Sequence, residues 1–235
     1  VKIDSAFLDA LSERVLVWDG ASGTQFQGMG LTDADFTLDA SKLSGRPKEA
    51  AQRLAGKVLD GCNDILCLTR PDVVEQLHDS YFAVGSDIVE TNSFGSTSIV
   101  LAEYDVPELV YEVSLAAARC ARRSADRHGA NKPRFVAGGI GPGTKLISLG
   151  QTTWEELEQT YCDSARGLIE GGVDLLLLET LQDLLMVKAS IVACHRAMDE
   201  TGRRVPIIVQ VTMEQNGTML VGSEIGAALN MVECF

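Results

Sequence analysis

Short apolar runs alternate with longer amphipathic stretches along the whole chain. Five runs, at 15–18, 87–90, 134–137, 173–178 and 207–211, are rich in branched residues and show little polar alternation. Such runs suit parallel strands covered on both faces. The stretches between them carry helical spacing. Residues 71–84 place Val73, Val74, Leu77, Tyr81 and Phe82 along one side, with Pro71 in the first turn. Residues 108–128 are rich in Ala and Arg and stop before Gly129. Residues 153–170 open on Thr-Trp-Glu-Glu, which makes Thr153 an N-cap and Glu156 its capping-box partner. Residues 184–200 carry Leu185, Lys188, Ala189, Val192 and His195 on one face, and 223–235 begin a last helix.

Strand and helix in repeated alternation predict an α/β fold with a parallel sheet. Two architectures fit, an open doubly wound sheet and a TIM (β/α)8 barrel. No G-x-G-x-x-G follows the first run, which weakens a dinucleotide-binding sheet. A barrel takes ~250 residues. Five strands in 235 residues leave it three short, so the barrel reading makes this chain a barrel truncated after about five βα units. Residues 28–57 read as a long excursion, and nothing reads as an interdomain linker. Residues 1–235 are therefore taken as one domain, incomplete at its C-terminus.

Charge narrows the partners. Twenty Lys and Arg face 33 Asp and Glu, a net charge of −13 and a pI near 4.6. Such a surface repels nucleic acid and anionic lipid. No apolar run approaches the ~20 residues of a membrane span. The first residues mix polar and apolar types and do not read as a signal peptide. Cys62, Cys67, Cys120, Cys162, Cys194 and Cys234 are scattered, which suits free thiols in a reducing cytoplasm. Cys62 and Cys67 stand too far apart for the usual zinc pair.

In both architectures chemistry gathers at the carboxyl ends of the strands. That selects Asp19, Glu90 with Asn92, the turn at 139–142, Glu179 with Thr180, and Thr212. Three acids at one mouth invite a cation, an ammonium or a shared proton. After the first run, Gly20 and Ala21 sit in a small-residue turn whose N–H groups suit a carboxylate or phosphate. His78, His128 and His195 all fall in helical stretches and read as packing or surface residues. Lys145, after a Gly-Pro-Gly turn, reads as a solvated loop lysine.

Six motifs in order carry a resemblance. They are Val15-Leu-Val-Trp-Asp-Gly-Ala-Ser-Gly-Thr24, Gly61-Cys-Asn-Asp-Ile-Leu66 and Gly85-Ser-Asp-Ile-Val-Glu-Thr-Asn-Ser-Phe94. Phe135-Val-Ala-Gly-Gly-Ile-Gly-Pro142, Gly171-Gly-Val-Asp-Leu-Leu-Leu-Leu-Glu-Thr180 and Gly217-Thr-Met-Leu-Val-Gly-Ser223 follow. Together they resemble the homocysteine S-methyltransferase family, most closely the homocysteine-binding modules of its cobalamin-dependent, methionine-forming branch. The resemblance implies a (β/α)8 barrel that binds homocysteine and zinc at its strand ends. It implies a methyl group delivered by methylcobalamin and replenished from methyltetrahydrofolate, on folate and cobalamin modules of the same polypeptide.

By position, Asp19 and Glu179 resemble the acids that hold the homocysteine ammonium, and Gly20 and Ala21 the backbone donors to its carboxylate. Glu90, Asn92 and Thr180 join the substrate-binding set from their places at strand ends. The family's zinc ligands are three cysteines in Gly-x-Asn-Cys and Gly-Gly-Cys-Cys-Gly-Thr contexts, and this sequence has neither. No residue here is therefore assigned to metal or to catalysis, and the chain alone is expected to be inactive. Alternatives are a stand-alone enzyme using betaine or S-methylmethionine, and a non-catalytic, amino-acid-binding partial barrel.

Overall fold

The computed structural model describes residues 3–39, 43, 52–130 and 132–235. Residues 40–42 and 44–51 of the expected excursion lie outside them. The described elements begin with α1 (Ala6–Glu13), capped by Ser5, and α2 (Gly23–Gly28). Then come α3 (Pro71–Val84), β1 (Ile88–Glu90), α4 (Val110–His128), β2 (Phe135–Ile140) and α5 (Trp154–Gly171). The chain continues through β3 (Leu175–Leu181), α6 (Leu184–Thr201), β4 (Ile207–Val211) and α7 (Ile225–Val232).

The sheet is parallel and its order is β1-β2-β3-β4, the order of the chain itself. A doubly wound sheet reverses direction at a switch point. Here every strand adds on the same side of the one before. Residues 15–18 extend the series beyond β1 through a parallel bridge between Trp18 and Ile88. Unbroken order of this kind is that of a barrel wall, and it decides between the two architectures left open by the sequence.

The first apolar run departs from expectation. It forms that single bridge and not a regular strand, and Val15 is 84% exposed. The reason lies at Asp87. Its carboxylate accepts the Val17 N–H at 2.9 Å, while the Asp87 N–H donates to Val17 O at 2.7 Å. The same carboxylate, almost fully buried, pairs with Arg14 at 2.9 Å and Lys132 at 2.7 Å. A side chain thus replaces part of the ladder. The other boundaries shift by a few residues: β2 runs on through Gly138 and Gly139, and β3 runs on past Glu179 and Thr180.

Two layers flank the sheet. On its inner face Ile88, Phe135, Ala137, Leu175 and Leu177 cluster with Phe7. On its outer face Val89, Val136, Leu176 and Leu178 pack beneath α5 and α6. Period-two alternation in each strand produces this split. The α4–α5 contact is close because Gly171 has no side chain. A Cβ there would lie 2.4 Å from the Ala118 Cβ. Thr153 and Glu156 form the expected capping box at the start of α5.

α6 corrects the face expected for it. Its buried residues are Met186, Val187, Ala189, Ser190, Ile191, Ala193, Cys194, Ala197 and Met198, while Leu185 is 44% exposed and Lys188 is exposed. A stripe of Ala and Cys lets α6 lie close to α5, and dense packing of small residues outweighs one exposed leucine. Asp183 fixes the helix rotation. Fully buried, it accepts the Leu185 N–H and both the N–H and hydroxyl of Ser148. Among the described residues no helix is long and apolar enough to cross a membrane.

Candidate functional site

The inner face changes character toward the carboxyl ends of the strands. Following the alternation upward, Ile88 is succeeded by Glu90, Ala137 by Gly139 and Leu177 by Glu179. The register sets Glu90 beside Ala137 and Gly139 beside Leu177, so each next strand is two residues higher. Glu90, Gly139 and Glu179 therefore share one level of the wall, as the stagger of a barrel dictates. Below them the layer is dry and apolar.

Above it opens a pocket of about 310 Å³, lined by residues that include Trp18, Asp19, Gly20, Ala21, Glu90, Asn92, Phe94 and Glu179. The three acids read from the sequence do converge, with Gly20, Ala21 and Asn92 around them. Thr180 is not among the lining residues. It sits at a bulge, where Leu178–Leu181 of β3 spans the same ladder as Val209–Val211 of β4, and its φ is +58°. Thr212 binds the β3 backbone through its N–H and is not among the lining residues either. A larger crevice, about 670 Å³, lies on the outer surface between α4 and α5, and there Lys145 sits with Glu156 and Arg166. It is remote in chemistry from the strand ends.

Each acid is held differently. Asp19 accepts the Glu90 N–H at 3.0 Å. Burial nevertheless pushes its carboxyl up to about 7, against that backbone donor and with help from the charge of Glu179. Glu90 lies well above the usual carboxyl range, first through burial, then through the carboxyl of Glu179 and the charge of Asp19. Glu179 Oε1 is buried and has no donor facing it. Among the described residues no Lys or Arg lines the pocket to offset these three groups.

The loop after β1 is stitched to β2 by hydroxyls. Gly139 N–H donates to Thr91 Oγ1 at 2.9 Å, and Ser93 Oγ donates to Gly139 O at 2.7 Å. The Ser93 hydrogen is thereby spent, so in the 2.6 Å contact between the two hydroxyls Thr91 is the donor. Asn92 donates to Asn63 O at 2.7 Å. Asp64, half-buried and pushed up to about 6 by desolvation, accepts the Gly95 N–H at 2.8 Å.

Four contributors escaped the sequence reading. Tyr81, on α3, donates its hydroxyl to Ala21 O at 2.8 Å and so fixes the turn that carries Gly20 and Ala21. Asp64 and the Thr91–Ser93 hydroxyl pair hold the opposite rim. His78 meets the packing half of its expectation, since it is 1% exposed, but it also lines the pocket and leaves both ring nitrogens unpaired. Burial pushes it down to about 4, so its ring is neutral. The signal was present, since Leu77, His78 and Tyr81 lie within one turn of a helix, but helical periodicity does not say which turn meets a pocket.

Zinc, which the sequence resemblance implies, does not fit the described residues. Among them no three His, Cys, Asp or Glu side chains converge as a ligand set. Cys62, Cys67, Cys120, Cys162 and Cys194 are buried and unpaired in disulfides, and Cys234 is exposed just past α7.

The chain and its fold have relatives. Methionine synthase from Mycobacterium tuberculosis is 44% identical over 231 residues, 98% of this chain and 18% of that protein. Methionine synthase from Mycobacterium leprae gives the same identity and coverage. The chain thus spans about a fifth of the length of these relatives. In three dimensions the metallated form of the Escherichia coli homocysteine methyltransferase MmuM superposes with a TM-score of 0.71 at 15% identity, over 97% of this chain and 73% of that one. Its oxidised form gives 0.67 at 17% identity. Both likenesses confirm the α/β barrel-type fold. The homocysteine S-methyltransferase family model matches residues 16–235, and the chain belongs to that family.

Proposed function

We propose that the pocket binds homocysteine as the methyl acceptor in methionine formation, and that residues 1–235 serve as the homocysteine-binding domain. The observation that carries this is the convergence of Asp19, Glu90 and Glu179, with no Lys or Arg among the described residues lining the pocket, beside the turn at Gly20 and Ala21. An α-amino acid presents an ammonium next to a carboxylate. The acids take the ammonium by charge-assisted hydrogen bonds. The N–H groups of Gly20 and Ala21, fixed by Tyr81, take the carboxylate. Asn92 flanks the acids and completes the binding set, while Thr180, set at the β3 bulge, stays outside it. Phe94, 48% exposed at the rim, offers an apolar surface to the thiol-bearing chain.

The chain's own residues then bind and orient; they do not activate the thiol. A zinc ion activating the thiol would need ligands other than the described residues, and the methyl group would come from cobalamin. On this reading the chain works beside folate and cobalamin modules of one cytoplasmic polypeptide. Its relatives' much greater length supports that arrangement.

Isothermal titration with L-homocysteine tests the reading. Binding that falls at least ~10-fold in Asp19→Asn, as loss of a charged hydrogen bond requires, supports it. Equal binding of the analogue lacking the amino group refutes it.

A further inference from the structure

The level shared by Glu90, Gly139 and Glu179 has a second consequence. β2 lies between β1 and β3, so two carboxyl side chains from non-adjacent strands must reach over β2 to approach each other. They can do so because residue 139 is glycine. A Cβ at that position would lie 2.5 Å from Glu90 Oε1 and 3.1 Å from Glu179 Oε1. The gap above Gly139 is where the two carboxyl groups meet.

Two ionised carboxylates cannot hydrogen-bond, because neither has a donor. Glu179 Oε1 is buried without any other donor, and a protonated Glu90 supplies one. The surroundings favour that proton. Asp19 contributes a third acid from the segment before β1, and His78 contributes a neutral ring from α3. The remaining polar lining, Ser22, Thr91, Asn92 and Ser93, carries no charge. A pocket in a low-dielectric wall whose described lining has no Lys or Arg does not hold three negative charges unpaired.

We propose that Glu90 and Glu179 share one proton across the gap at Gly139, and that the ammonium of the incoming amino acid displaces it. This rests on the homocysteine reading and adds its proton balance. Before binding, the pair is one carboxylic acid donating to one carboxylate. On binding, the acid's O–H bond breaks and the proton leaves to solvent. The ammonium N–H groups then donate to both carboxylates. Gly139 is a positioning residue, since it touches no ligand yet sets the distance between the pair. The arrangement selects a ligand with a protonated amine over an uncharged isostere.

Two measurements on the 235-residue chain decide it. Infrared difference spectra at pH 8.5, where Asp19 is largely ionised, should show a protonated carboxylic acid band in the wild type. The band should vanish in the isosteric Glu90→Gln and titrate at lower pH in Glu179→Gln and Gly139→Ala, with circular dichroism reporting that each variant is folded. No such band in the wild type overturns the shared proton. Calorimetry with L-homocysteine in buffers of different ionisation enthalpy should then show about one proton released per ligand. Glu90→Gln should release none. Binding without release overturns the exchange and leaves the homocysteine reading intact. A carboxylic acid band with no homocysteine binding leaves the pair standing and removes both the exchange and the homocysteine reading.

Discussion

Replacing Asp87 with Asn should unfasten the segment that delivers Asp19 to the pocket. The wild-type carboxylate accepts from Val17 N–H, Arg14 and Lys132 while being only 2% exposed. Asn retains the Val17 bond through its carbonyl oxygen and loses the charge that binds the other two. Hydrogen bonds to charged groups contribute about 1.5–3 kcal/mol each. Arg14 and Lys132 are 40% and 39% exposed and regain water when released, so the low end applies. The expected loss is about 2–3 kcal/mol, which lowers Tm by roughly 5–10 °C in a domain of this size. Urea denaturation should show a lower midpoint at unchanged slope. The Arg14 and Lys132 partners hold the Asp87 carboxyl well below the usual carboxylate range, with Arg14 the larger influence. A depressed folded pKa gives stability that is present above the unfolded value, ~3.9, and lost as pH falls through the folded value. The gap between wild type and variant should therefore be constant from pH 8 to 5 and close on the acid side. A loss under 0.5 kcal/mol, or a gap that persists undiminished into strong acid, would refute this account of Asp87.

Tyr81→Phe should weaken homocysteine binding several-fold, since one neutral hydrogen bond contributes about 0.5–1.5 kcal/mol, while melts stay close to wild type; calorimetry and thermal melts together separate the two effects. Asp19 behaves oppositely to Asp87. Its folded value, about 7, lies above its unfolded one, so the native state binds the extra proton, and stability falls as pH rises from about 4 to 7. Asp19→Asn should flatten that fall in denaturant titrations across the same window. Thr153→Ala removes the capping box of α5 and should cost about 1–2 kcal/mol by urea denaturation.

The parts of this molecule legible in its sequence are those fixed by local periodicity. Pro71–Val84 and the Thr153 cap of α5 were readable to the residue, because Pro at a first turn and a Thr-x-x-Glu box act within one turn of helix. The convergence of Asp19, Glu90 and Glu179 followed from one topological rule, that parallel strands bring their carboxyl ends together. What escaped depended on contacts distant in sequence. The first run looked like a strand, and only Asp87, about 70 residues away, shows why its ladder is replaced by a side chain. The buried face of α6 escaped because Ala193 and Ala197 are weak hydrophobic markers, yet their smallness decides the packing. His78 and Tyr81 are ordinary helix residues until α3 is laid against the turn at Gly20.

The strand order also fixes when the site can exist during synthesis. Each strand joins the edge left by its predecessor, so a growing chain can lay down the wall in the direction in which it leaves the ribosome. The acids arrive in the same direction: Asp19 first, Glu90 about 70 residues later, and Glu179 only after α5 has formed. Asp19 and Glu90 therefore leave the ribosome before the carboxyl that joins them in the pocket. The pocket is thus complete only once β3 has joined the wall, about 90 residues after Glu90.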